Sequence, residues 1–231
     1  LYACLRHLVN TNNNARAIVS LEDPIEVPVD GVTQSQVNVQ AGFDLQTGLR
    51  SLMRQDPEVI IVGEIRDRPT AEFAIQASLT GQLLLGTFHA DTTTTAVTRL
   101  IEMGIEPFLV RSGLISVLSQ RLVRVLCSCA KESTAVEDRL GFEVPSVRTA
   151  VGCDTCNHTG FVSRAIISEY LDPRPSEVGQ LILKRADSRE LYAAARANGM
   201  ATLLEQATEL VRQGKTSPAE VWRVLGSATR V

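Results

Sequence analysis

The sequence lacks an excess of basic residues and lacks any hydrophobic run long enough to cross a membrane. Its 23 lysines and arginines are outnumbered by 26 aspartates and glutamates, which gives a formal net charge of −3. A general nucleic-acid-binding protein usually carries a basic domain, so we expect no nucleic-acid partner. No apolar stretch approaches the roughly 20 residues of a spanning helix, so we expect no direct membrane insertion. A cytoplasmic location follows as the expectation, with any attachment to a membrane supplied by partners.

The segment 54–67, with the sequence R-Q-D-P-E-V-I-I-V-G-E-I-R-D, carries the strongest local signal. Its β-branched apolar block at 59–62 predicts a strand buried on both faces, as parallel sheets require. We expect Gly63 to turn the chain and Glu64 to lie at the carboxyl end of the strand, the edge where open α/β sheets bind ligands. The alternative for Glu64 is an ordinary solvated position in a loop.

Two further strand ends repeat this arrangement. The apolar run 17–21 is followed by Glu22, Asp23 and Pro24, and the run 83–88 is followed by His89. Helical patterns separate the runs, which predicts a mostly parallel sheet. Because crossover connections are right-handed, the polar ends are expected to meet at one edge of the sheet. This pattern is typical of a nucleoside triphosphatase.

These segments resemble the secretion ATPases of type II secretion and type IV pilus assembly. Residues 21–26 (L-E-D-P-I-E) resemble the Asp box of that family, and residues 86–91 (G-T-F-H-A-D) resemble its His box. Residues 54–67 resemble its Walker B signature, except that Glu58 stands where the family usually has aspartate. The resemblance runs from the first residue to nearly the last. It implies a RecA-like P-loop NTPase core, with a four-cysteine insertion and a small helical C-terminal subdomain.

The resemblance also implies roles for individual residues around ATP and Mg²⁺. Glu64 corresponds to the Walker B acid acting through Mg²⁺ and its waters, and Glu22 to the Asp-box acid that orients or deprotonates the attacking water. His89 corresponds to a sensor of the γ-phosphate, or is merely hydrogen-bonded at a strand end. Weaker nucleotide-site candidates complete the set, namely Asp23, Glu26 and Arg66. For Arg66, a local ion pair is an equal alternative.

The phosphate-binding loop that this chemistry needs is absent from the sequence. No G-x-x-x-x-G-K-[ST] pattern occurs, although its backbone N–H groups and lysine are what cradle the phosphates. Gly214, before Lys215 and Thr216, is better interpreted as a helix stop, with Ser217 as the cap of a new helix. Because the chain opens inside a helical pattern at Leu1, we expect the loop to lie upstream in the parent protein.

Four of the five cysteines form two close pairs, Cys127 with Cys129 and Cys153 with Cys156, separated by 23 residues. Such pairs are typical of a structural zinc site with four thiolate ligands. The family has a similar insertion with two C-x-x-C pairs, whereas the first pair here is C-x-C. In an extended backbone the side chains of C-x-C point apart, so both ligate only through an unusual turn. Partial or lost metal binding, replacement of one thiolate by His158, and reduced thiols without metal stay open.

The remaining signals divide the chain coarsely. We predict a truncated ATPase core at 1–126, a cysteine-pair insertion at 127–160, and a return strand with a helical subdomain at 161–231. Helical spacing occurs at 45–54, 70–80, 92–103 and 107–125, and a strand is predicted at 160–171. The fifth cysteine, Cys4, is predicted to be a buried small apolar residue.

Two classes of function fit the sequence. The first is an oligomeric ATPase motor, in the family a homo-hexamer, that works on inner-membrane assembly platform proteins and lies at the inner membrane through them. The second is a non-catalytic remnant that lacks the phosphate loop and acts as a zinc-stapled scaffold. Glu22, Glu64 and His89 favour the motor, because a scaffold does not need all three at one edge.

Overall fold

The computed structural model describes residues 1–11 and 16–226 of the chain. These residues form two compact units. Unit 1 comprises Leu1–Val117 and Asp172–Ala194, and unit 2 comprises Leu118–Leu171 with residues 195–226. The domain boundaries near 126 and 160 that the sequence suggests stay a prediction.

Helices and strands alternate through most of the chain. The helices, in chain order, are α1 (Tyr2–Thr11), α2 (Leu45–Leu52), α3 (Arg68–Leu79), α4 (Thr93–Glu102), α5 (Pro107–Gly113), α6 (Val136–Arg139), α7 (Ser176–Leu183), α8 (Ser188–Ala197), α9 (Leu203–Arg212) and α10 (Pro218–Leu225). The strands are β1 (Ile18–Glu22), β2 (Thr33–Gln36), β3 (Val59–Ile65), β4 (Leu83–Phe88), β5 (Val117–Leu126), β6 (Lys131–Ser133), β7 (Val147–Thr149) and β8 (Phe161–Leu171). Short 3₁₀ turns occur at Val39–Ala41, Met53–Gln55 and Asp154–Cys156.

Unit 1 is built on a four-stranded sheet in the order β2-β1-β3-β4, and every described pairing is parallel. All five residues of β1 are buried, as are the first four residues of β3. The mostly parallel sheet predicted from the apolar runs is therefore confirmed. In a parallel sheet the carboxyl ends of the strands share one edge, so the polar residues that follow β1, β3 and β4 lie along that edge.

Alternate residues of β1 and β3 pack on opposite faces of the sheet. Val19, Leu21, Ile60 and Val62 form one cluster with Leu49 and Leu52 of α2. Ile18, Val59 and Ile61 form another with Leu5 of α1 and with Val29. Each fully buried aliphatic side chain contributes roughly 1.5–3 kcal/mol, so helices on both faces hold these two strands in place.

Helices begin directly after the polar strand ends because capping residues stand there. The Asp67 carboxylate accepts a hydrogen bond from the backbone N–H of Thr70 at 2.9 Å, and Pro69 lies in the first turn of α3. Thr92 caps α4 in the same way, accepting from the backbone N–H of Thr95 at 3.1 Å. These caps fix where the chain turns away from the carboxyl edge of the sheet.

The long helix predicted at 107–125 is wrong. Helix α5 ends at Gly113, and residues 117–126 form β5, which pairs with β8. The apolar residues Leu118 and Leu122 have helical spacing, yet both are 53% exposed on the strand, while Val123 is fully buried. Pairing with β8, predicted correctly as a strand, overrides the local helical spacing.

Unit 2 has its own hydrophobic core. Val123 of β5 and Ile167 of β8 pack against residues of α9 and α10 and against the segment between β6 and β7. That segment supplies Phe142 and Val144 to this core, and Val147 comes from the start of β7. The Phe142 and Trp222 rings lie 5.3 Å apart, and Trp222 Nε1 donates to the Leu140 carbonyl at 3.0 Å.

An ion-pair network around the buried Glu220 carboxylate joins α10 to β5 within unit 2. Ser217 caps α10, as predicted, while the fully buried carboxylate of Glu220 pairs with Arg124 and Arg223 at 2.7 Å each. The backbone N–H of Arg124 also donates to Glu220 at 2.9 Å, and the Arg124 guanidinium lies 4.0 Å from the centre of the Phe161 ring. Burial alone would raise the pKa of Glu220, but the hydrogen bonds from Arg223 and Arg124 lower it to about 2.

We expect Glu220→Gln to lower the free energy of unfolding by about 2 kcal/mol at pH 7, because it removes the buried charge that accepts hydrogen bonds from two partly exposed guanidinium groups. Since the folded pKa lies below the ordinary value of 4.5, the Glu220 contribution is complete above pH 4.5 and is lost as the pH falls toward 2. The wild-type and variant stabilities should therefore converge over that range in urea denaturation. The control is Glu209→Gln, which changes an exposed carboxylate paired with Arg212. Equal effects of the two substitutions at pH 7 would contradict the assignment.

Candidate active site and metal site

The carboxyl edge of the four-stranded sheet borders a cleft of about 370 Å³. Five predicted site residues line it, namely Glu22, Asp23, Glu26, Glu64 and Arg66. The cleft thus gathers four carboxylates and one guanidinium group. A net negative lining repels bare phosphate and suits a phosphate that arrives with a cation.

Glu22, the last residue of β1, is only 6% exposed. Its Oε1 accepts hydrogen bonds from the Ser20 hydroxyl at 2.5 Å and from Gln34 Nε2 at 3.0 Å. Its Oε2 accepts a hydrogen bond from the Tyr2 hydroxyl. Three neutral donors from α1, β1 and β2 therefore hold this carboxylate in a single orientation.

Glu64, near the end of β3, has a different environment. Its side chain is 36% exposed, and its Oε2 accepts hydrogen bonds from Arg66 Nε at 2.8 Å and Nη2 at 2.7 Å. The hydrogen bond from Arg66 lowers the pKa of Glu64, and the charge of nearby His89 lowers it further. Glu64 is therefore an anion at neutral pH, as a carboxylate that handles a metal ion must be.

His89 follows β4 and is exposed, but it is not among the residues that line the cleft. Its backbone carbonyl accepts a hydrogen bond from Arg99 Nη1 at 2.7 Å, which fixes the turn between β4 and α4. Its imidazole is close enough to Glu64 to influence the Glu64 pKa. The structure therefore places His89 at the same sheet edge, beside the cleft.

Gly63 serves close packing rather than the turn that we expected, because β3 continues through it to Ile65. A Cβ at this position would lie 3.2 Å from Glu22 Cα and 3.4 Å from the Leu21 carbonyl oxygen. Real Cβ contacts are rarely this short, so a side chain here would push the end of β1 away. Glycine therefore keeps the Glu22 and Glu64 backbones close together.

Sequence reasoning missed three residues that position Glu22, namely Tyr2, Ser20 and Gln34. Ser20 lies two residues before Glu22 and therefore on the same face of β1, a signal that was available. Gln34 lies on a polar strand (T-Q-S-Q) whose pairing with β1 no local pattern specified. Tyr2 lies at the start of α1, 20 positions before Glu22, and no local pattern links the two residues.

The four paired cysteines meet at one point in unit 2. Their Sγ atoms all lie within 4.8 Å of one another, with separations of 3.9 Å for Cys127–Cys153, 4.0 Å for Cys129–Cys156 and 3.8 Å for Cys153–Cys156. Four thiolates bound tetrahedrally at about 2.3 Å from zinc stand about 3.8 Å apart. The cluster fits a four-coordinate zinc ion.

A tight turn lets the C-x-C pair contribute both sulfurs. The backbone N–H of Ala130 donates to the Cys127 carbonyl at 3.0 Å, which reverses the chain across Cys129. The backbone N–H of Cys127 in turn donates to the Gly160 carbonyl at 2.9 Å, joining the two halves of the cluster. The unusual turn that this spacing requires is therefore present.

The second pair is shaped by the 3₁₀ turn at Asp154–Cys156. Cys156 Sγ accepts hydrogen bonds from the backbone N–H groups of Cys153 and Gly160, both at 3.2 Å. The hydrogen bond with the Cys156 backbone lowers the pKa of the Cys153 thiol to about 6. His158 lies outside the cluster, exposed and 3.2 Å from the Asp154 carboxylate. The prediction that Cys4 is buried is wrong, because its position on α1 is exposed.

No helix in residues 1–11 and 16–226 is both long and apolar enough to span a bilayer. Residues 1–223 match the protein family described as type II/IV secretion system protein. The chain is 43% identical over 231 residues to the type II secretion system ATPase E of Vibrio cholerae, covering 97% of this chain and 45% of that protein. It is 38% identical over 229 residues to the type IV pilus assembly ATPase PilB of Thermus thermophilus, covering 95% of this chain and 25% of that protein.

Among solved structures, the pilus retraction motor PilT with bound ADP matches with a TM-score of 0.69 at 21% identity. The match covers 98% of this chain and 58% of that one. It supports the fold alone, and together with the parallel sheet and the cysteine cluster it confirms the predicted fold class. The chain spans less than half the length of either curated relative.

Proposed function

This chain belongs to the type II/IV secretion system protein family, and from that premise we propose that it forms the hydrolytic part of an ATP-driven motor for type II secretion or type IV pilus assembly. The observation that carries the proposal is the cleft at the carboxyl edge of the sheet, where Glu22 and Glu64 lie in contrasting environments. Phosphoryl transfer needs positioned charge more than covalent chemistry, and this pair supplies it.

Glu64 is the residue that would face Mg²⁺ through water, since it is partly exposed and anionic. Bound Mg²⁺ would neutralise the phosphates of ATP. Glu22 accepts a proton from, or orients, the attacking water, because its carboxylate is held rigidly in the cleft. His89 senses the γ-phosphate from the end of β4. We assign nucleotide binding to three other residues that line the cleft, namely Asp23, Glu26 and Arg66.

Residues 1–231 contain no G-x-x-x-x-G-K-[ST] loop. We therefore propose hydrolysis for the protein in which this chain is joined to such a loop, and not for residues 1–231 alone.

The cysteine cluster is proposed to bind one Zn²⁺ through Cys127, Cys129, Cys153 and Cys156. With four protein ligands no coordination position is open for a substrate, so the role is structural. For the whole motor we propose a homo-hexamer that acts in the cytoplasm on membrane assembly platform proteins, without direct insertion and without nucleic acid.

The test is to assay ADP release by the longer protein and by residues 1–231, with and without added Mg²⁺. We expect hydrolysis by the longer protein only, and only with Mg²⁺. A folded, zinc-loaded longer protein that releases no ADP would contradict the motor and favour the second candidate, the zinc-stapled scaffold. The scaffold is retained as the second candidate because the four cysteines have the geometry of a structural zinc site.

A further inference from the structure

The donors around Glu22 form a set that nothing in the proposed catalytic roles accounts for. We call Tyr2, Ser20 and Gln34 the Glu22 cradle. Its members come from α1, β1 and β2, and each donates one hydrogen bond to the buried carboxylate. The three donors are neutral side chains, whereas Glu64 on the next strand is paired with a guanidinium group.

Tyr2 connects Glu22 to the loop that follows β1. Its hydroxyl donates to Glu22 Oε2 and accepts a hydrogen bond from the backbone N–H of Glu26 at 3.0 Å. Burial and the hydrogen bond to Glu22 raise the pKa of Tyr2, so its proton stays available for donation at neutral pH. A phenylalanine here would fill the same space and lose both hydrogen bonds.

Gln34 is fixed at both ends of its side-chain amide. Its Nε2 donates to Glu22 Oε1 at 3.0 Å and to the Val27 carbonyl at 3.2 Å, while its Oε1 accepts from the Val29 backbone N–H at 2.7 Å. These partners determine which end of the amide faces Glu22. The strand β2 and the loop after β1 are thereby tied to the carboxylate.

Neutral donors have a specific chemical consequence. A carboxylate in an ion pair shares its charge with the cation and accepts a proton less readily, as for Glu64 with Arg66. Hydrogen bonds from hydroxyl and amide groups fix the orientation of Glu22 without adding a positive charge beside it. The arrangement suits a group that must receive a proton from a water molecule in the cleft.

We propose that Tyr2 and Gln34 are positioning residues for ATP hydrolysis, which hold the Glu22 carboxylate in the orientation that activates the attacking water. This inference rests on the proposed function. The other charged groups that share the cleft are Asp23, Glu26, Glu64 and Arg66, and the substitutions of Tyr2 and Gln34 leave those side chains in place.

The experiment compares Tyr2→Phe and Gln34→Leu with Tyr170→Phe, which removes a hydroxyl from a half-exposed tyrosine on β8. In the longer protein we expect each cradle substitution to lower kcat about tenfold at neutral pH with little change in KM for ATP. The loss should fall on kcat rather than on KM, because each donor acts on ATP only through the orientation of the Glu22 carboxylate. Gln34→Asn, which keeps an amide, should retain more activity than Gln34→Leu.

Two outcomes would overturn the cradle. One is a kcat that matches the Tyr170→Phe control, and the other is a loss of kcat that accompanies lower thermal stability and that Gln34→Asn does not restore, which indicates a merely structural role. If the longer protein shows no hydrolysis, the proposed function fails, and the cradle is judged by a second measurement. The ¹³C chemical shift of the Glu22 carboxyl in residues 1–231 at neutral pH should change in Tyr2→Phe and not in Tyr170→Phe; no change would refute the cradle.

Discussion

Replacing Glu64 by glutamine is expected to lower the rate of ATP hydrolysis at least about 100-fold while leaving nucleotide affinity nearly unchanged. The substitution keeps the size of the side chain and one oxygen that can accept from Arg66, so the end of β3 should hold its shape. What disappears is the negative charge that the Arg66 hydrogen bond stabilises by lowering the Glu64 pKa. Without that charge the cleft loses the carboxylate proposed to face the waters of Mg²⁺.

The matched control for this prediction is Glu58→Gln. Glu58 immediately precedes β3, so the same chemical change is made at the opposite edge of the sheet, on a side chain that is 57% exposed and 3.9 Å from Arg16. Steady-state ADP release and binding of a fluorescent ATP analogue separate turnover from affinity. Turnover that is equal in the two variants would remove Glu64 from its role, and loss of binding would make it a binding residue instead.

The sheet of unit 1 could be predicted from the sequence because its signals are local. The β-branched run of β3 and the apolar run of β1 are buried almost completely, and a short apolar strand flanked by helical patterns has few other arrangements. The polar residues after those strands then meet by topology rather than by any specific contact. Glu22 and Glu64 could therefore be assigned to one edge without coordinates.

The details around those residues depend on contacts between distant positions. Gln34 reaches Glu22 only because β2 pairs with β1, and Arg124 meets Glu220 across 96 positions of sequence. The helical spacing at 107–125 is a local signal that pairing with β8 overrides. Interactions of this kind are decided by which strands pair and which faces become buried, and no window of adjacent residues contains that information.

Removing metal from the cysteine cluster is expected to destabilise unit 2, even though that unit has its own hydrophobic core. The purified chain should carry about one zinc per molecule, and Cys153→Ser should abolish retention of the metal. The cluster is joined to α10 through β5, since Cys127 follows Leu126, whose backbone N–H donates to the Lys215 carbonyl at 2.9 Å. Beside it, the Thr216 hydroxyl donates to the Arg124 carbonyl at 2.8 Å.

Loss of zinc should therefore alter the surroundings of Trp222, the single tryptophan of the chain, which packs on Phe142. We expect the thermal midpoint followed by tryptophan fluorescence to fall by about 10 °C or more in Cys153→Ser and after chelation. Cys4→Ser is the control, because Cys4 is exposed on α1 and lies outside the cluster. A metal-free chain with an unchanged midpoint would mean that backbone hydrogen bonds such as Cys127 to Gly160 hold the two cysteine loops together without an ion. If the thermal midpoint falls in Cys153→Ser and after chelation but not in Cys4→Ser, the ion is what fixes the turn of the C-x-C pair.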